Sequence, residues 1–267
     1  MALFPTIVKA TASAVDLVRR PAAGLVVLIY HRVGGRTPVT VDLPTPVFDE
    51  QMARLADEGC VISLDHAIGA YARGDDLDGR VVVTFDDGTA DFVDEALPVL
   101  ADHDIAATLY VATAFIDEGR MFPDDGAPAT WAGLAECVDT GLVTIGSHTH
   151  EHVLLDRLAP DAVGADLDRS IELIEDELGV TPTHFAYPKA LRPTPAAERE
   201  VRCRFRSAAV AGTRANPAGG DPHRLARTPV QTTDGRRWFD RKLAGGMAFE
   251  DDLRRLVNRR RYARATS

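Results

Sequence analysis

Short apolar segments alternate with helical patterns along most of this 267-residue chain, and this alternation limits the possible folds more than any other feature. Within 160–179, apolar residues recur at helical spacing until Gly179 ends the pattern. Repeated alternation of strand and helix predicts a mostly parallel sheet with helices outside it. The apolar segments are GLVVLIYHRV (24–33), RVVVTFDDG (80–88), ATLYVAT (107–113), LVTIGSHTH (142–150), HFAYPKA (184–190) and RSAAVAG (206–212).

Several of these segments end in side chains that are capable of chemistry. His31 follows the first segment, Asp86 and Asp87 follow the second, and histidines follow the LVTIG run. In α/β barrels and open α/β sheets the functional site forms at the carboxyl ends of the strands. The chain length and this convergence predict a closed or nearly closed α/β barrel in a single domain.

The adjacent carboxylates Asp86 and Asp87 need a partner, because burying an unpaired carboxylate costs several kcal/mol. The stretch SHTHEH offers imidazoles at His148, His150 and His152, and zinc and similar cations bind imidazole nitrogen and carboxylate oxygen. Two histidines and one carboxylate would leave coordination positions open, as catalytic metal sites do. The second carboxylate could then act as a general base on water at the metal. The alternative is an Asp-Asp turn that caps a following helix.

The motifs TFDDG (84–88) and SHTHEH (147–152) together resemble those of the polysaccharide deacetylases, carbohydrate esterase family four. The resemblance covers about residues 25–232 and implies a distorted (β/α)7 barrel that removes acetyl groups from N-acetylated sugars with a divalent metal ion. It implies that Asp87, His148 and His152 hold the metal and that Asp86 is the general base. His150 falls on a variable position between the two histidine ligands and is not assigned as a ligand.

Two further stretches extend the resemblance and also depart from it. LIYHRV (28–33) is similar to the YHxV strand that carries the catalytic acid in one branch of the family, which assigns His31 as general acid. FAYPKA (185–190) follows the third motif of that branch, but Ala190 stands where glycine is usual. We expect Tyr187 and Lys189 to contact the substrate or its oxyanion, with the Lys189 backbone amide as donor. Arg227 is a candidate for the same group or for a positive charge beside the base.

Composition limits the partners and the compartment. The net charge of −10 argues against nucleic acid as a partner. Cys60, Cys137 and Cys203 lie far apart, which is typical of reduced thiols in a cytosolic protein. No stretch has the length and apolarity of a transmembrane helix or the pattern of a signal peptide, so we expect a cytoplasmic protein.

The ends of the chain are expected to flank the catalytic domain. Residues 1–23 form a separate N-terminal segment, predicted as a docked helix, with loose contact to a membrane surface as the alternative. Residues 24–232 form the deacetylase-like domain, and residues 233–267 form an arginine-rich helical tail.

The leading functional hypothesis is a metal-dependent amidohydrolase that deacetylates an N-acetylated sugar of a glycan or glycan precursor. One alternative is a hydrolase of the same fold that acts on another amide, a cyclic amide or an O-acetyl ester. A second alternative is a glycan-binding module without turnover. Zinc is the first candidate metal, and cobalt, nickel and iron accept the same ligands.

Overall fold

The computed structural model describes Lys9, Thr11, Ala12 and residues 21–191 and 193–252. Seven parallel strands form a closed barrel in the order β1-β4-β5-β6-β7-β8-β9, and β2 and β3 form a small separate sheet. The predicted seven-stranded α/β barrel in a single domain is confirmed. The strands are β1 (Val26–Tyr30), β2 (Arg32–Val33), β3 (Asp42–Leu43), β4 (Val81–Phe85), β5 (Ala107–Val111), β6 (Val143–Ser147), β7 (His184–Ala186), β8 (Ser207–Ala211) and β9 (Leu225–Pro229).

Helices connect the strands and cover the outside of the barrel. The longest, which follows β6, has the predicted apolar face: Val163, Leu167 and Ile174 are buried, and Gly179 ends the helix with a left-handed φ of 66°. The helices are α1 (Thr45–Glu58), α2 (Leu64–Arg73), α3 (Leu97–Asp102), α4 (Thr113–Glu118), α5 (Trp131–Asp139), α6 (Pro160–Leu178), α7 (Pro195–Arg204) and α8 (Gly235–Leu243). A π-helical turn (Phe92–Ala96) precedes α3, and short 3₁₀ turns lie at Leu155–Arg157, Pro188–Ala190 and Pro222–Arg224.

The barrel interior is closed at its amino end by α2. Inward-facing side chains of the strands alternate with outward-facing ones, as the pleat of a strand requires. Tyr110, Ala186 and Leu225 belong to one buried cluster with Leu64 and Ile68 of α2. His184, the first residue of β7, has its Nε2 3.2 Å from an Asp65 oxygen of α2. The opposite, carboxyl end of the barrel is therefore the end at which polar groups can meet a substrate.

The outward faces of the strands pack against the helices in two further clusters. On one side of the barrel, Phe85 of β4 packs among Tyr30, Phe48 and Phe92, with ring centroids 4.8–5.7 Å apart. On the other side, Phe185 of β7 packs with residues of α6 and α7. These apolar contacts hold the strand ends, and the side chains that follow them, in a fixed arrangement.

The predicted terminal segments, 1–23 and 233–267, lie partly outside the described residues. Of the predicted N-terminal segment, Lys9 is described and is buried against Asp234. Of the predicted arginine-rich tail, α8 packs on the barrel with Phe239 and Lys242 buried, and residues 253–267 lie outside the described part of the chain.

No helix within the described ranges is both long and apolar enough to cross a lipid bilayer. The three cysteines are free; Cys60 and Cys137 are buried and Cys203 is exposed.

Candidate active site

Asp87, His148 and His152 converge at the carboxyl end of the barrel. Each offers one ligand atom, and these three atoms lie within 4.8 Å of one another. His152 Nε2 lies 3.2 Å from Asp87 Oδ1, and His148 Nε2 lies 3.6 Å from the same oxygen. Two imidazole nitrogens and a carboxylate oxygen at this spacing form a donor set that suits a divalent cation.

The orientation of His148 supports this interpretation. Its Nδ1 lies 2.7 Å from the carbonyl oxygen of Ala186, so Nδ1 carries the proton and donates it. The lone pair of Nε2 is then directed toward Asp87. Burial lowers the pKa of His148 to about 4, which keeps its imidazole neutral. A backbone acceptor behind a histidine is the usual support of a metal ligand.

Left-handed backbone conformations bring these side chains together. Asp87, Thr149 and His152 have φ angles of 76°, 71° and 53°, although none of them is glycine. The backbone N–H of His152 donates to Thr149 Oγ1 at 2.9 Å. Gly88 has a φ of 89°, and a Cβ there would lie 3.1 Å from Val111 Cγ1, so the turn after the two aspartates requires glycine. Such strained conformations concentrate at functional sites.

Asp86 forms a buried ion pair with Arg227 of β9. The guanidinium donates to both carboxylate oxygens, with N–O distances of 2.5 and 2.8 Å, and the two side chains are almost completely buried. Arg227 also lies over the ring of Tyr110, with its guanidinium carbon 5.1 Å from the ring centroid. Burial alone would raise the pKa of Asp86, but the charge and hydrogen bonds of Arg227, together with the nearby imidazoles of His148 and His31, outweigh burial and lower it.

His31 lies beside the two carboxylates, at the end of β1. Burial alone would raise the pKa of Asp87, but the hydrogen bond from His152 and the charges of nearby imidazoles, His31 among them, outweigh burial and lower it. His31 also contributes to the lowered pKa of Asp86, after Arg227 and His148. Its Nδ1 is buried and has no hydrogen-bond partner among the described residues.

His150 does not join this group of ligand atoms. Its Nδ1 lies 3.0 Å from Thr113 Oγ1, so the ring turns toward α4. His150 therefore lies outside the group formed by Asp87, His148 and His152.

The prediction that Tyr187 contacts substrate is wrong for its side chain. Ala186 faces the barrel interior, so Phe185 and Tyr187 face outward, with ring centroids 5.0 Å apart. Tyr187 is 2% exposed, and its hydroxyl is buried in the packing of α6 and α7. Burial raises the pKa of this hydroxyl.

Lys189 and Arg227 lie in opposite surroundings, one exposed and the other buried. Lys189 has an exposed side chain and is the left-handed residue of its turn, with a φ of 57°. The positive φ therefore falls on Lys189, one residue before the position where the family resemblance expects glycine. Arg227 is fully buried behind Asp86, which excludes a direct contact of its guanidinium with substrate and leaves the predicted role of a charge beside the base.

Asp166 is a further residue near the site that the sequence motifs do not mark. It lies on α6, and its carboxylate accepts the backbone N–H groups of His150 and Glu151 at 3.1 and 3.0 Å. The sequence marks Asp166 only weakly, as one acidic residue next to Leu167, which lies on the apolar face of its helix.

Comparison with known proteins connects this geometry to a family. The family model for polysaccharide deacetylases matches residues 73–207, which contain both aspartates and the two histidines but neither His31 nor Arg227. YxkH of Bacillus subtilis strain 168, provisionally named a polysaccharide deacetylase, is 25% identical over 168 residues, which are 62% of this chain and 57% of YxkH. The match therefore spans little more than half the length of this relative.

Solved structures share the fold. The deacetylase PplD of Streptococcus pyogenes, in complex with acetate, has a TM-score of 0.70 at 22% identity, over 79% of this chain and 93% of PplD. IcaB of Ammonifex degensii also has a TM-score of 0.70, at 25% identity, over 82% of this chain and 98% of IcaB. The family model covers half of the sequence and the barrel is the same, so this chain belongs to the polysaccharide deacetylase family.

Proposed function

We propose that this chain is a divalent-metal-dependent hydrolase that removes the acetyl group from an N-acetylated sugar of a glycan or glycan precursor. The observation that carries the proposal is the donor set of Asp87, His148 and His152 beside the buried Asp86–Arg227 pair. Membership of the polysaccharide deacetylase family supports the reaction class and a carbohydrate substrate.

Asp87, His148 and His152 are the proposed holders of the cation. Zinc fits the two imidazoles and one carboxylate, and cobalt, nickel and iron accept the same ligands. When bound, such an ion supplies a positive charge that acidifies water and polarises the amide carbonyl. The fixed Nε2 of His148 and the lowered pKa of Asp87 keep both ligand atoms unprotonated for this purpose.

Asp86 is the proposed general base. Its carboxylate takes the proton from water as the water oxygen attacks the acetyl carbon. Arg227 holds both carboxylate oxygens and lowers the pKa of Asp86, so the group is ionised before the reaction begins. Asp86 Oδ2 lies 3.8 Å from His148 Nε2, and this short distance to a proposed ligand supports the role of Asp86 as base.

His31 is the proposed general acid. A protonated imidazole donates its ring N–H to the amide nitrogen while the carbon–nitrogen bond breaks, which releases acetate and the free amine. The position of His31 at the strand end beside Asp86 and Asp87 supports this role, as does its match to the YHxV branch of the family. The Lys189 backbone N–H, in the turn after β7, is the proposed donor to the oxyanion.

Acetate release tests the proposal. Protein stripped with a chelator and reloaded in turn with zinc, cobalt, nickel or iron would be incubated with N-acetylglucosamine oligomers and other acetylated sugars. We expect release to require the metal and to fall about a hundredfold or more in Asp86→Asn and in His31→Ala, the usual contribution of a positioned base or acid. Asp168→Asn and His66→Ala are matched controls, because both side chains are exposed on helices away from the site.

Other outcomes would replace the proposal. Release from an O-acetyl ester or another amide, with none from N-acetylated sugars, would assign a different substrate class to the same site. Glycan binding that is unaffected by His31→Ala, with no release from any sugar, would indicate a binding module.

A further inference from the structure

The loop that joins the two proposed histidine ligands, residues 148–152, has no helix or strand of its own. It is fixed to the end of β5 and the start of α4 by backbone hydrogen bonds. The N–H of His148 donates to Val111 O at 2.9 Å, and the N–H of Ala114 donates to His150 O at 3.0 Å. These bonds hold one edge of the loop and do not involve the N–H groups of His150 and Glu151.

Those two N–H groups are held by Asp166. Oδ2 accepts from His150 at 3.1 Å and Oδ1 accepts from Glu151 at 3.0 Å, so both oxygens of one carboxylate bind consecutive amides. Asp166 is 9% exposed, and α6, which carries it, is anchored in the core by Leu167 and Ile174. A carboxylate this deeply buried is stable only when hydrogen-bond donors satisfy its oxygens.

The two N–H groups bound by Asp166 lie between the two residues of the loop with left-handed backbone conformations. Thr149 and His152 have left-handed φ angles of 71° and 53°, and the surrounding structure must maintain them. If the two amides between them lost their acceptor, the loop could relax to ordinary backbone angles and carry His152 Nε2 away from Asp87 Oδ1, now 3.2 Å apart.

We propose that Asp166 is a positioning residue that sets the distance between the two histidine ligands by holding both amides of the loop. This inference rests on the proposed metal site of Asp87, His148 and His152. Asp166 touches neither substrate nor metal in this assignment and acts only through the backbone of the loop.

Asparagine cannot replace this carboxylate. It offers one acceptor oxygen, and its NH₂ group would face the second backbone N–H, donor against donor. Asp166→Asn therefore changes the hydrogen bonding of the loop while leaving side-chain volume almost unchanged. Asp168→Asn makes the same chemical change two residues along α6, where the side chain is 52% exposed and binds Arg204, so it is the matched control.

The test is metal affinity, measured for zinc and cobalt by competition with a chromophoric chelator. We expect Asp166→Asn to bind each metal 10- to 100-fold more weakly than the wild type, the usual effect of losing a group that orients ligands, and Asp168→Asn to match the wild type. The visible absorption spectrum of the cobalt-loaded Asp166→Asn protein should also differ from that of the wild type, because the ligand geometry changes.

Equal affinities and equal cobalt spectra for the two variants would overturn the inference. If Asp166→Asn does not fold, Asp166→Glu takes its place, because glutamate keeps both acceptor oxygens and displaces them by one methylene. A cobalt spectrum of Asp166→Glu that differs from the wild type supports the positioning role of Asp166. An unchanged cobalt spectrum overturns it. Because the readout is binding, a wild-type protein that binds metal and releases no acetate would overturn the proposed function and leave this inference intact.

Discussion

The pair of Asp86 and Arg227 shows how single residues make a buried charge stable. Removing a carboxylate from water costs several kcal/mol, and only a partner with matching geometry offsets this. Arg227 binds both oxygens of Asp86, and the ring of Tyr110 covers the guanidinium. The arrangement fixes the direction of the carboxylate and keeps it ionised, which the proposed role of Asp86 as general base requires.

Replacing Arg227 by methionine should therefore destabilise the protein by about 3–5 kcal/mol at pH 7, because Asp86 would stay buried without its partner. Urea unfolding measures this free energy. Arg206→Met is the control: its exposed ion pair with Asp65 predicts a loss of about 1 kcal/mol or less.

The same substitution has a predicted pH dependence. In the wild type the folded-state pKa of Asp86 lies below the usual value of about 3.9, so the pair stabilises the fold above that value and loses this contribution as the pH falls through the folded pKa. In Arg227→Met burial dominates and raises the pKa of Asp86. The cost of burying the ionised carboxylate therefore applies above this raised pKa, and it disappears as the pH falls and the carboxylate is protonated. The difference between the two proteins should shrink from pH 7 to pH 4. A difference that stayed constant over this range would show that Asp86 does not cause it.

At the scale of elements, the barrel strands meet closely enough to require small residues at specific positions. Gly146 of β6 is one of them. A Cβ there would lie 2.6 Å from Tyr110 Cδ1 and 2.9 Å from the backbone oxygen of His184, so neighbouring strands would have to move. The ring of Tyr110 lies against Arg227, so this contact links strand packing to the position of Asp86, the proposed base.

Gly146→Ala should destabilise the protein by about 1–3 kcal/mol, the usual cost of overpacking a core, and should also reduce acetate release. Gly69→Ala is the matched control, because Gly69 lies within α2 and a Cβ there meets only the flexible end of Arg73 at 3.4 Å. Helix propensity predicts a gain of up to about 1 kcal/mol for this control. The melting temperatures of the two variants are compared by thermal unfolding. Equal melting temperatures would show that the close packing around Gly146 does not require glycine.

The elements also show which parts of the site could be predicted from the sequence. Asp86, Asp87, His148 and His152 follow apolar runs directly, and parallel strands bring such positions to one end of a barrel. Their proximity was therefore predictable.

Other parts of the site could not be predicted from the local sequence pattern, because most of them depend on contacts between residues that are far apart in the sequence. The contact of Arg227 with Asp86 joins residues 141 positions apart and depends on the pairing of β9 with β1. Strand β7 has only three residues, too few to show by alternation that Tyr187 faces outward. Asp166 was missed because its partners are backbone amides of a distant loop, and no residue type marks such an acceptor.

At the scale of the whole molecule, a buried charge cluster joins the two ends of the described chain. Lys9 Nζ lies 2.5 Å from Asp234 Oδ1, and Lys242 Nζ lies 2.8 and 2.9 Å from the two oxygens of Asp234. All three side chains are at most 2% exposed. One aspartate thus links the N-terminal segment and α8 to the loop that follows β9.

Asp234→Asn should destabilise the whole protein by roughly 3–5 kcal/mol, because two buried ammonium groups would lose their shared carboxylate. Asp240→Asn is the control, since Asp240 also belongs to the α8 region but is 37% exposed and pairs with Arg54. Urea unfolding at neutral pH distinguishes the two. If the free energy of unfolding falls no more in Asp234→Asn than in Asp240→Asn, the cluster does not hold Lys9 and α8 to the barrel.

In the proposed function, hydrolysis of an acetamide requires one cation held by Asp87, His148 and His152. The most direct measurement is the rate of acetate release from an N-acetylated oligosaccharide as zinc is added back to metal-free protein, with bound zinc determined on the same samples. We expect a rate that rises in proportion to bound zinc and levels off at one ion per chain, and no such rise in His152→Ala. Full activity in the metal-free protein, or one bound ion without acetate release from any N-acetylated sugar, would contradict it.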